Sequence, residues 1–149
     1  MDVAAFIISL LALGVSIIVA FVEAKREYNI SKISLEFEFY KEIFENHLIK
    51  LIPQARNCLH INRTTMTLSG VDGFISELNQ LRKDILYFKY SNPKFYSSLK
   101  RSIQDLEDFV IDSSATTFDT ETKKDFFQEM QSKIEEIYNT ISKAYLGEI

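Results

Sequence analysis

Hydrophobic and polar residues are divided unevenly along the chain. From Val3 to Val22, 17 of 20 residues are hydrophobic and none is charged, whereas from Lys25 onward 50 of 125 are hydrophobic and all 17 Lys and Arg occur. Twenty helical residues reach roughly 30 Å, the thickness of a bilayer hydrocarbon core. Thirteen of the twenty are Val, Ile, Leu or Phe, which at about 0.3–0.6 kcal/mol each favours insertion by roughly 4–8 kcal/mol. The pattern therefore predicts a transmembrane helix over 3–22. A cleaved signal peptide would begin with positive residues and carry a shorter apolar stretch. Here Asp2 precedes the run and Lys25-Arg26 follow it. Positive flanks favour the cytoplasmic side, so the expected topology is N-terminus out with residues 25–149 cytoplasmic, in the cell inner (plasma) membrane.

Beyond the run, the pattern changes to amphipathic helices. Ile30, Ile33, Phe37, Tyr40, Phe44, Leu48 and Leu51 recur at spacings of 3 or 4, predicting a connecting helix over 23–52. Ile33, Leu35, Phe37 and Phe39 also alternate with polar residues as in a strand. The only other strand-like run is the short Thr64–Leu68, so the helix is preferred. With neither Gly nor Pro between Ala20 and Ile52, the membrane helix is expected to continue into it.

Pro53 is expected to end or kink that helix, a short helix to resume over 54–62, and Ser69-Gly70 to break the chain. Val71, Phe74, Leu78, Leu81, Ile85 and Phe88 mark a further helix. Asn92-Pro93 opens another, with Phe95, Leu99, Ile103, Leu106 and Val110 on its apolar face. After a polar loop at 112–118, Asp119 caps a last helix carrying Phe127, Met130, Ile134, Ile137, Ile141 and Tyr145, closed by Gly147. The fold expected is all-α: an N-terminal single transmembrane helix continuing into a cytoplasmic antiparallel helical bundle, with 53–149 as the remainder of the bundle.

Within the span, Ala5, Ser9, Ala12, Ser16 and Ala20 fall on one stripe about 80° wide. Spans associate through close packing of small residues, so the stripe is a candidate oligomerisation seam. Lys25 and Arg26 are candidate contacts to anionic headgroups.

Chemistry is sparse by comparison. Four Gly residues cannot build a phosphate-cradling loop, and Cys58 is the only cysteine, so no disulfide forms within the chain. His47, Cys58 and His60 lack the spacing of a metal site or a nucleophile pair, and Cys58 is expected to be a small buried residue. No catalytic, cofactor or metal residues are expected. Around 82–101, Arg82, Lys83, Lys89, Tyr90, Lys94, Lys100 and Arg101 interleave bases with an aromatic, a patch that could take a nucleotide or a partner. With 19 acids against 17 bases beyond residue 24, there is no strong nucleic-acid signal.

One uncleaved span, a short basic flank and a small helical domain together resemble the small membrane proteins of bacterial phage-defence and mobile-element operons. The resemblance lies in architecture and size, without a residue motif, and it implies an effector or accessory subunit in antiviral defence that perturbs the membrane on a trigger. The expected function is thus a non-enzymatic single-pass membrane protein in contact with lipid. Its helical domain would form a homo-oligomer or bind a membrane or cytoplasmic partner protein. The alternatives are a passive anchor for a soluble partner and a cytoplasmic sensor of a nucleotide.

Overall fold

The computed structural model describes the backbone of residues 3–146 and the side chains of residues 13–146. The protein is mostly helical, and it divides into a unit ending at Glu38 and a unit from Phe39 onward. Helix α1, Val3–Ile43, carries the chain across that boundary. Among the described residues no helix is long and apolar enough to cross a membrane. The side chains of 3–12, half of the predicted span, lie outside the described residues.

In the first unit, every described side chain from Leu13 through Leu35 is exposed. Phe21 is 76% exposed, Ile18 65% and Ile33 66%. Ile30, Ile33 and Phe37, expected on the buried stripe, are therefore exposed.

In the second unit the buried face begins at Tyr40 and continues through Ile43, His47, Leu48, Ile52 and Ala55. That series departs from the expected 40, 44, 48, 51: Ile43 stands in place of Phe44, and further on the helix changes register. Residues Phe44–Leu51 form a π-helix, whose i→i+5 bonding widens each turn. Tyr40, Ile43 and His47 keep ordinary helical spacing, and the wider turn shows after them, where the inward position falls on Ile52 and not on the expected Leu51. Pro53 does not end the helix: it occupies the first turn of α2, Ile52–Cys58, where a missing N–H is tolerated.

Helix α2 stops short of the expected residue 62. His60–Ile61 (β1) pairs antiparallel with Leu68–Ser69 (β2), in the register His60 to Ser69 and Ile61 to Leu68. The intervening turn is closed by Asn62, whose side chain accepts from the backbone N–H of Thr64 at 2.8 Å. This miniature hairpin was not legible as a strand pair, since two residues per strand give no alternation to detect. Gly70 follows with φ +84 and begins α3, Val71–Asp84. A 3-10 turn at Ile85–Tyr87 and the short α4, Phe88–Ser91, lead to Asn92.

The remaining helices follow the predicted pattern closely. In α3, Phe74, Leu78 and Leu81 are fully buried. In α5, Pro93–Ser114, so are Phe95, Leu99, Ile103, Leu106 and Val110. Asn92 caps α5 by accepting from the N–H of Phe95 at 3.2 Å, and its amide donates to the Tyr40 hydroxyl at 3.1 Å. Helix α5 takes up the first three residues of the expected 112–118 loop. Asp119 caps α6, Thr120–Tyr145, through a reciprocal capping box with Thr122. Hydrogen bonds from the Thr122 backbone, and then from its hydroxyl, hold the Asp119 carboxyl below its ordinary value. On α6 the buried apolar positions are Phe126, Met130, Ile134, Ile137, Ile141 and Ala144, so both ends of the expected stripe shift by one residue. Gly147 lies outside the described residues.

Helices α5 and α6 pack along each other, and α3 packs on α5. Phe88 and Phe95 meet edge-on at 4.9 Å between centroids, with Tyr40 4.5 Å from Phe88. Such contacts add about 0.5–1.5 kcal/mol beyond burial.

Candidate functional site

The seven residues of the 82–101 patch do not share one environment. Arg82 is turned to structural use. Its guanidinium pairs with Glu107 on α5 and bonds Asn79 at 3.0 Å and Gln104 at 3.3 Å, so it ties α3 to α5. Lys83, Lys94 and Lys100 are exposed. The Lys89 ammonium lies 5.6 Å from the ring centre of its neighbour Tyr90, which is 83% exposed. Arg101 stands 3.9 Å from Asp105 one turn away, a solvent-exposed pair of little energetic weight. None of the seven lines a described cavity.

Lys25 and Arg26 are exposed on α1, as are Ser16 and Ala20 of the seam; Ala5, Ser9 and Ala12 lie outside the described side chains. Cys58, expected to be buried, is exposed, because α2 ends at that residue and the chain turns toward β1. Among the described residues, no group of three or more His, Cys, Asp or Glu side chains is placed to hold a metal ion.

Two constellations emerge that the sequence did not single out as sites. The first is His47, a buried residue of the π-helix. Its Nε2 lies 2.8 Å from an Asp84 carboxylate oxygen, and Gln80 donates to both oxygens of that carboxylate. His47 Nδ1 is shielded from solvent and has no hydrogen-bond partner. An imidazole oriented by a carboxylate is two-thirds of a nucleophilic triad, yet no hydroxyl or thiol bonds to Nδ1. The contact therefore acts as a strap from the π-helix to the end of α3.

The second is a groove between α2 and α6. One hollow of about 400 Å³ is lined by Ile52, Arg56 and Asn57 on α2 and by Gln131, Glu135, Tyr138 and Asn139 on α6, among others. A second, of about 570 Å³, shares Arg56, Gln131 and Glu135 and extends to Lys124 and Phe127. On α6 these residues recur every three or four positions and so share a face. Ile52 and Ile134 are buried at 1% and 5% exposure, giving the groove an apolar floor under polar walls. Arg56 belongs to both hollows. Its Nε is shielded from solvent without a hydrogen-bond partner, and no carboxylate among the described residues is in ion-pair distance of it. Burial raises the Tyr138 phenol above its ordinary value, with the Arg56 charge opposing.

A signal for this groove existed in the sequence. It is Arg56, which interrupts the apolar series Ile52, Ala55, Leu59; Phe127, expected on the apolar stripe of α6, is displaced from it by one residue. Volumes of this size with an apolar floor and a few convergent polar groups suit a small-molecule ligand. No protein-family model, curated protein or solved structure matches the chain.

Proposed function

We propose that the chain is a non-enzymatic, single-pass membrane protein whose helical domain binds further copies of itself or a partner protein. The observation that supports this reading is the exposure of Leu13–Val22 on every side of α1, within a sequence run of 20 residues without charge. A helix apolar all round requires an apolar surrounding. Lipid is the surrounding that a run of this length fits. Lys25 and Arg26 then anchor the cytoplasmic flank. A trigger acting on the helical domain would reach the membrane through α1, as an effector of antiviral defence would require.

Two measurements on the expressed full chain test this. The first is retention in the membrane pellet after an alkaline carbonate wash. The second is labelling of Cys58, the sole cysteine and an exposed one, by a membrane-impermeant maleimide. The expected results are retention, and labelling only after cells are opened. Release by carbonate would sink the anchor, and labelling of intact cells would reverse its direction.

A further inference from the structure

We propose that the groove between α2 and α6 binds a nucleoside diphosphate or a phosphorylated molecule of the same size and chemistry, with its phosphates on Arg56 and Lys124 and its ring against Tyr138. The argument begins with Arg56. Arg56 lines both hollows and no carboxylate among the described residues is in ion-pair distance of it, so its charge is left for a ligand, and capture of phosphate is what a planar guanidinium suits. Arg56 is at the junction of the two hollows, and Lys124 lines only the second, so the positive charge lies toward one end. The other end is built differently. Tyr138 lines it, and Asn57 and Asn139 offer amides that each donate and accept, the equipment for a polar heterocycle, while Gln131 donates to Glu135 at 3.1 Å. Glu135 lies in both hollows and can accept from a sugar hydroxyl between the two ends. From residue 124 to residue 138 the face is roughly 20 Å long, which accommodates a ring, a sugar and two phosphates in line. Two cations facing one carboxylate favour a ligand of more than one negative charge over a simple carboxylate.

This inference stands apart from membrane anchoring, and its test reads binding rather than localisation. The full chain in detergent micelles is titrated calorimetrically with ADP, glycerol 3-phosphate and inorganic phosphate. Binding of ADP is expected, with Arg56→Gln weakening it about 10- to 100-fold and Arg101→Gln, an exposed cation outside the groove, leaving it unchanged. Should Arg56→Gln fail to melt cooperatively, Lys124→Gln carries the comparison, with a loss of about 3- to 10-fold expected. Absence of ADP binding at about 1 mM, or equal losses in the groove variant and Arg101→Gln, would overturn the site. Glycerol 3-phosphate or inorganic phosphate binding as tightly as ADP would overturn the nucleotide-sized occupant and indicate a lipid headgroup or a free phosphate instead.

Discussion

The Tyr138 hydroxyl on α6 donates a hydrogen bond to the backbone carbonyl of Leu48 in the π-helix. The pairing follows from Pro53. In the π register, the Ile52 N–H donates to the His47 carbonyl, so the next N–H in line would serve Leu48. Residue 53 is proline and has no N–H to give. Leu48 is fully buried, and its carbonyl would be left without a donor. Tyr138, 90 residues away, supplies one. A local defect in the helix is thus repaired by a tertiary contact, which also fixes α6 against the π-helix at the edge of the groove.

The first prediction concerns that repair. Tyr138→Phe should destabilise the domain by about 1–3 kcal/mol, the cost of a buried acceptor left unpaired. Pro53→Ala restores an N–H that can reach Leu48, so Tyr138→Phe should cost less in that background. A double-mutant cycle in urea should return a coupling of about 0.5–3 kcal/mol; additive losses would mean that the two residues do not serve the same carbonyl. The pH dependence has a definite sign. Burial raises the Tyr138 pKa in the folded state, so the folded chain binds its proton more tightly than the unfolded one. The associated stability is full below the ordinary phenol value and is lost as pH rises through the folded value. Alkaline melting should therefore be less steep in Tyr138→Phe than in the parent chain.

The second prediction compares two glycines three residues apart. Gly70 has φ +84, and a Cβ added there would come within 2.2 Å of the Cys58 carbonyl oxygen. Gly70→Ala should cost about 2–4 kcal/mol, combining left-handed strain with a backbone overlap that cannot relax cheaply. Gly73 lies inside α3, with nothing within 4 Å of an added Cβ. Gly73→Ala should stabilise by about 0.5–1 kcal/mol through helix propensity and unfolded-state entropy. Urea melts of the two variants should move in opposite directions.

A third prediction follows from the placement of Arg82. Glu107 has 12% of its side chain exposed and Arg82 26%, so truncating either leaves a partly desolvated partner behind. Arg82→Ala should lower stability by about 1–3 kcal/mol, while Lys83→Ala, at the neighbouring exposed position, should fall within about 0.5 kcal/mol of the parent. Equal effects would mean that the α3–α5 tie carries no weight.

The sequence was most legible where helices are regular. In α3 and α5, every expected apolar position that the pattern placed at three- or four-residue spacing from Phe74 to Val110 is buried, and Asn92 and Asp119 cap as their side chains dictate. It was least legible where periodicity itself changes. A π-helix shifts the inward face without any change in composition, so Ile52 in place of Leu51 could not be read as core from a 3.6-residue template. Tertiary context also decided Cys58 and Arg82: the first depends on where α2 ends, the second on a carboxylate 25 residues away. Of the groove, only the break that Arg56 makes in an apolar series was legible, and the residues of α6 that line it with Arg56 came together only when α6 was laid beside α2.

The last prediction concerns the small-residue stripe of the proposed span. Ser16 and Ala20 lie on an exposed stretch of α1, and Ala5, Ser9 and Ala12 continue their stripe at spacings of 3 and 4. Lipid tails are as apolar as Leu, so helices in a bilayer gain by close backbone approach at small residues rather than by hydrophobicity. Ala12→Leu and Ser16→Leu add bulk on that stripe without adding charge to the run, and so should leave membrane retention intact. If the span self-associates along it, each variant should shift the mass of the detergent-solubilised complex toward the monomer. Ala4→Leu and Ile18→Ala change residues about 80° or more away from every stripe position, and should leave the mass unchanged. An assembly whose mass is the same in all four variants would place self-association elsewhere, in the helical domain beyond residue 38, and remove the stripe from the mechanism.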